Sequence, residues 1–352
     1  MKILRRYITA HLSWVTFLAL FALVALFSFF SLIDELGEVG KGDYGVLQAV
    51  LYVLLTMPKL AYELFPIAAV IGSMTVLGTL SRNSELDVIR TSGVSQFELA
   101  GLLARSGIIL VFIAVLIGEL VAPVSEETAQ EMRSVAMTEQ IALKTRYGLW
   151  IRDGNSFINV RKVLPDNRLG DIYIYEFDDA NRLRSSSHAE TAEYVNDTWI
   201  LRHIRQSVIS EKGVKRNDIK RASWDSLLAP EMINFVIVKP QFLTLWELVH
   251  YIDYLKENDQ NTQIYEQALW TKLVRPFAIL AMFILAVPMV RGQARSTAVG
   301  QRVFMGALVG IVFHLCNEVA SHLGVVYSLS PALSIALPTV LLYLIILFLL
   351  RE

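Results

Sequence analysis

Apolar residues in this chain form long runs toward both ends and a period-two alternation in the middle. Residues 12–33, 45–80 and 107–122 are three long runs, and 276–290, 303–326 and 331–350 are three more; each reads as a helix crossing a membrane. The second run is too long for one straight span, and Pro58, Lys59, Glu63 and Pro66 interrupt it. The pattern predicts an outer, partly amphipathic helix that kinks into a span over 64–80. Pro123 is expected to close the third span, and Trp270, Lys272 and Arg275 to sit at the interface before the fourth.

From 124 to 263 no run is long enough to span, and short alternating segments are separated by turn residues. Segments 149–152 and 157–160 flank Asp153-Gly154, a hairpin signal. Residues 172–177, then 190–195 and 198–205 about Asn196-Asp197, then 233–239 before Pro240, read as further strands. A β-sandwich or jelly-roll domain follows. Thr244 and Glu247 form a capping box, and Leu245, Leu248, Val249, Ile252 and Leu255 make one apolar face of a helix over 244–256 that returns the chain to the bilayer. The predicted fold is an α-helical membrane protein with six transmembrane helices and a β-domain inserted between helices 3 and 4. Residues 1–123 hold the first three helices, 124–263 the β-domain and 264–352 the last three.

The composition, 54% hydrophobic, agrees with an integral membrane protein carrying a soluble insert. A net charge of -1 says less than the position of the charges. Lys2, Arg5 and Arg6 precede the first run, whereas the loop after it sets Asp34, Glu35, Glu38 and Asp43 against Lys41 alone. The positive-inside rule places both termini in the cytoplasm, with Arg291, Arg295, Arg302 and Arg351 on the same side and the β-domain outside. The first run is a full membrane thickness long and lacks a small-residue cleavage site, so it is expected to remain as a span rather than a signal peptide. Cys316 is the only cysteine, which excludes an intrachain disulfide and a cysteine-rich metal site.

The polar stretch 81–105 lies between the second and third spans. Ser84 with Asp87, and Ser95 with Glu98, both fit the capping box, and Gly93 suits a left-handed helix stop between them. The first helix, about 84–92, is too short to stand alone in water. Leu86, Ile89 and Arg90 at helical spacing, flanked by Glu85 and Asp87, suit an element that docks in a partner's groove. An ordinary polar loop with a frayed turn accounts for the same residues.

No catalytic set is present. Gly40-Lys41-Gly42 lacks the spacing and hydroxyl of a nucleotide-binding loop, and neither a Ser-His-Asp arrangement nor an HExxH motif occurs. His314, Glu318 and His322 fall at i, i+4 and i+8 in the fifth span, with Asn317 beside them. A metal site fits that spacing, but a polar face lining a cavity or packing on another subunit explains it better. No metal, cofactor or nucleic acid is expected.

The order of three spans, β-domain and three spans comes with Ser84-Glu85-Leu86, Arg90 and Ser92-Gly93 after the second span. Phe65-Pro66, Gly118-Glu119 with Ala122-Pro123, and Gly148-Leu149-Trp150 add to it. Together they resemble the LptF/LptG permease family. Leu32-Ile33-Asp34-Glu35-Leu36 and the Gly-Leu-Trp start of the β-domain are more similar to its LptG branch. The resemblance implies a Gram-negative inner-membrane subunit of an ABC exporter that extracts lipopolysaccharide. It would work with an LptF-like permease, two copies of an LptB-like ATPase and a bitopic LptC-like protein that continues a periplasmic β-bridge. Glu85 then matches the acid of a coupling helix, with Leu86, Ile89 and Arg90 beside it. Lys59 and Arg133 match positions expected to hold headgroup phosphate, while Ser31, Gly37 and Glu38 stand where relatives carry basic residues, leaving Lys41 alone in that loop. The first and fifth spans would form a lateral gate, with Phe27, Phe30, Phe304, Ile311 and Phe313 as a lipid-accommodating wall. A scaffold that relays ATPase motion to periplasmic partners without moving lipid is the alternative; a membrane enzyme acting on the headgroup lacks any catalytic set.

Overall fold

The computed structural model describes residues 2–137, 149–153, 155–164, 168–178, 182–195, 198–210, 213–224, 240–258, 260–291 and 298–351. Six helices are long and apolar enough to cross a membrane, three before and three after an antiparallel sheet. Helix α1 covers Lys2–Leu36, α2 Val46–Arg82, α3 Glu85–Thr91 and α4 Gln96–Leu116. A π-helical turn, Ile117–Val121, joins α4 to α5, Ala122–Met137. After the sheet come α6, Leu245–Glu257, then α7, Gln263–Arg291, α8, Val299–Val326, and α9, Pro331–Arg351. Contacts divide the chain into a membrane unit, 1–38, 49–129 and 263–352, and a β unit, 39–48 and 130–262.

Helix α2 is one continuous 37-residue helix with Pro58 and Pro66 inside it, so the expected outer segment and span belong to a single element. It lies at the centre of the membrane unit, where most of its second half is buried, and dense packing on neighbouring helices offsets the lost backbone bonds. One expectation about proline is corrected: Pro123 does not end its helix. The widened π turn directly before it disrupts the usual ladder, so a residue without an N–H is tolerated in the next turn and the helix runs on to Met137.

Small residues let backbones approach α2. Gly72 of α2 accepts Thr16 of α1, and Gly306 and Gly310 of α8, four apart, lie on Ile71 and Ile67 of α2. That is the small-xxx-small contact by which helices associate in lipid, where water provides no driving force. A second layer packs Phe283 of α7 on Gly107 of α4.

In the β unit, β1 (Leu149–Asp153), β2 (Ser156–Leu164), β3 (Arg168–Phe177), β4 (Leu183–Val195), β5 (Thr198–Ser210) and β6 (Gly213–Trp224) form one antiparallel sheet in consecutive order. The hairpins expected about residues 153–154 and 196–197 are present as β1–β2 and β4–β5. Val160, Ile172, Ala189 and Ile204 stand in one cross-strand row and are buried. The expected segment 233–239 lies outside the described residues, which contain a single sheet. Strand β6 escapes the sequence pattern because its half-buried positions, among them Asn217, Ile219 and Trp224, are separated by exposed Lys215, Arg216, Lys220 and Arg221. Charges of this kind suit a strand at a sheet edge.

On the other side of the sheet His188 Nε2 lies 2.7 Å from Asp171 Oδ1 and Arg205 Nη2 lies 3.1 Å from His188 Nδ1. A guanidinium only donates, so Nδ1 accepts and Nε2–H donates to Asp171. Burial pushes the Asp171 carboxyl up, but the His188 bond together with Arg161 and Lys162 outweighs it and holds the group below its usual value. The capping box at α6 is present: Glu247 N–H donates to Thr244 Oγ1 and Thr244 N–H to Glu247 Oε2. Leu248, Ile252 and Leu255 are buried as expected, joined by Tyr251 and Tyr254, while Val249 stays exposed.

Candidate functional site

The polar turn between α2 and α4 is built unevenly. Ser95 and Glu98 make the full capping box that starts α4, and Gly93 takes φ +89 where a left-handed stop is needed. Ser84 does not cap α3. It sits at φ 62 with no side-chain cap bond, and Asn83 Nδ2 donates instead to Glu85 Oε1 at 3.1 Å. Tyr7 of α1 lies near enough to Glu85 for the carboxylate to disfavour ionisation of its hydroxyl.

Leu86 is 1% and Ile89 8% exposed, and Leu86 belongs to the main core of the membrane unit. Their side chains therefore face their own protein and anchor α3 to it. A seven-residue helix cannot supply its own stability, so this burial is what holds it. The outward position is Val88, 63% exposed, with Phe97 also exposed at the start of α4. Arg90 is half-buried, and its Nε and Nη2 make no hydrogen bond among the described residues.

At the far end of α4 the π turn brings together residues that the sequence shows only one at a time. Lys272 Nζ of α7 bonds Glu119 Oε1 of the turn at 2.7 Å, with the Lys272 side chain 8% exposed. Tyr62 of α2 fits against Gly118, where a Cβ would stand 2.7 Å from the ring. Arg275, one turn beyond Lys272, covers the Tyr62 ring at 4.8 Å. Both ionic partners are visible in the sequence beside apolar runs, but only tertiary structure pairs residues 153 positions apart. The extra residue of a π turn is what aims Glu119 at α7 while Gly118 leaves room for Tyr62.

The remaining predicted positions are spread over both units. Lys59 of α2 lies 4.0 Å from the buried carboxylate of Glu126 on α5. The loop of Lys41 is tied to the end of α5 by the Asp43 N–H, which donates to the Ala136 carbonyl, one turn beyond Arg133. Phe27 and Phe30 on α1, and Phe304 and Ile311 on α8, are exposed. Phe313 turns inward against the core and lines a cavity with His314, Asn317 and Glu318. His322 stays exposed and faces Glu318 at 3.7 Å. Among the described residues no group of three or more His, Cys, Asp or Glu is placed to hold a metal.

Three candidate spans on each side of an antiparallel sheet in the sequence, with an ionic contact inside the helix bundle, define a multi-pass membrane protein. The chain matches the family described as lipopolysaccharide export system permease LptF/LptG over residues 6–352, and it belongs to that family. It is 32% identical over 314 residues to the lipopolysaccharide export system permease protein LptG of Haemophilus influenzae, covering 89% of this chain and 88% of the relative. It is 33% identical over 315 residues to the protein of the same name from Escherichia coli K12, with the same coverage.

Proposed function

We propose that the chain is the transmembrane permease subunit of an ABC exporter that extracts lipopolysaccharide from the inner membrane and passes it to a periplasmic β-bridge. The observation that carries the mechanism is α3, anchored in the membrane core through Leu86 and Ile89 while Val88 stays exposed. Force applied to such an element reaches α2 and α4 directly. An LptB-like ATPase, present in two copies, supplies the hydrolysis that this chain has no catalytic set to perform. An LptF-like permease completes the pore and an LptC-like protein continues the bridge. The basic residues Arg5, Arg6, Arg82, Arg105 and Arg351 support cytoplasmic termini, a cytoplasmic α3 and a periplasmic sheet.

In this reading Glu85 meets a cation on the ATPase. Losing one member of such a desolvated pair typically costs about 2–5 kcal/mol, more than the ~0.3–1 kcal/mol a carboxylate gains at a helix start. Glu85→Lys should cut export strongly while the sheet still folds, and a reciprocal charge reversal on the ATPase should restore part of it. Glu85→Gln, which keeps an acceptor for Asn83, should fall between. Wild-type export by Glu85→Lys in an intact complex would end the coupling role.

The exposed bulky faces of α1 and α8 suit a lateral gate for lipid, with Lys41, Lys59 and Arg133 drawing headgroup phosphate. A photocrosslinker at Phe30 should capture glycolipid in membranes. Capture of protein alone at that position would remove α1 from the path.

A further inference from the structure

A cavity of about 110 Å³ lies inside the membrane unit, between α2, α7, α8 and α9. Its charged lining is Glu63, Arg275 and Glu318, with His314 beside them and the Thr339 hydroxyl of α9 at its wall. Thr339 is 4% exposed and its Oγ1 has no hydrogen-bond partner among the described residues. Glu63 makes no ion pair among the described residues. Charges and an orphaned hydroxyl within a span demand a polar occupant, because hydrocarbon offers them nothing.

The chemistry of that occupant follows from the lining. Two carboxylates stand against one guanidinium, so a free anion is disfavoured while a group carrying both an ammonium and a phosphate is matched at both ends. The Arg275 guanidinium is held over Tyr62 by its face, which leaves its N–H edge for an oxygen. Glu63, His314 and Glu318 are exposed and mark the mouth of the cavity. Along the same helix Phe304, Leu308, Ile311 and Leu315 form an exposed apolar stripe at helical spacing. The cavity is about the size of a small head group and has no room for acyl chains, and the stripe beside it gives those chains a surface.

We propose that this cavity binds the head group of an ethanolamine phospholipid, its ammonium on Glu63 and Glu318 and its phosphate on Arg275, with the acyl chains along α8. Such a lipid is distinct from any glycolipid that is exported, and it shares the α8 face with the proposed gate, so its chains would yield that face when glycolipid passes. The test uses the full-length chain with its co-purifying subunits, in nanodiscs of equal palmitoyl-oleoyl phosphatidylethanolamine and phosphatidylglycerol, read by native mass spectrometry. Wild type should retain the ethanolamine lipid over the glycerol lipid by about tenfold, and Glu63→Gln with Glu318→Gln should abolish the preference. Arg275→Gln should weaken retention of both lipids. Equal retention of the two lipids by wild type, or an unchanged preference in the Glu63/Glu318 variant, would overturn the proposal. Because retention is read without transport, a variant that exports glycolipid but loses the ethanolamine preference leaves the export reading standing.

Discussion

Lys272→Met is expected to destabilise the membrane unit by about 3 kcal/mol, the lower end of what breaking a buried ion pair costs. The ammonium and the Glu119 carboxylate are 2.7 Å apart, and neither side chain is well exposed. Methionine keeps most of the volume and removes the charge, taking from the half-buried Glu119 carboxylate its ammonium partner. Adding Glu119→Gln removes that carboxylate, so the double variant should recover most of the loss. Thermal melting in detergent or nanodiscs, compared across the two single variants and the double, reads this directly. Melting of Lys272→Met at the wild-type temperature would show that Glu119 does not depend on Lys272.

Gly306→Leu combined with Gly310→Leu should displace α8 from α2 and lower the yield of folded protein severely. A Cβ at Gly306 would lie 3.0 Å from Ile71 Cα, and one at Gly310 would lie 3.0 Å from both Ile67 Cγ atoms. Overpacking of this kind costs about 1–3 kcal/mol per site, and backbone atoms cannot swing aside as a flexible side-chain end can. Leu308→Ala, on the exposed side of the same helix, should change melting by about 0.5 kcal/mol or less. A double glycine variant as stable as Leu308→Ala would mean that the close approach of α8 to α2 carries no weight.

The spans are legible because an apolar run of membrane length fits little else than a helix in a bilayer, and the hairpins because their turn dipeptides are specific. Local signals fail where a neighbour decides the outcome. Ser84 and Ser95 carry the same capping pattern, yet only Ser95 caps; Asn83 has taken the place of Ser84 beside Glu85. Leu86 and Ile89 do form an apolar stripe, but a stripe does not say which surface it meets. Pro123 would end an ordinary helix, and a π turn that no residue pattern announces lets it continue. The Gly306 and Gly310 spacing is present in the sequence, and its meaning depends on knowing that α2 stands opposite. Phe313 resembles the outward aromatic residues by type alone, and its neighbours along α8 place it on the cavity side.

The ion pair between the π turn and α7 also sets an order of events during synthesis. Its two members are separated by 153 residues, which at roughly 5–20 residues per second puts Lys272 on the order of 10–30 s behind Glu119. The sheet, whose strands each pair with the next, closes only short loops and can assemble hairpin by hairpin within that interval. Until α7 arrives Glu119 lacks the Lys272 ammonium, so the first three helices wait for a contact that only the second half of the chain can supply, while the strands between them can already pair.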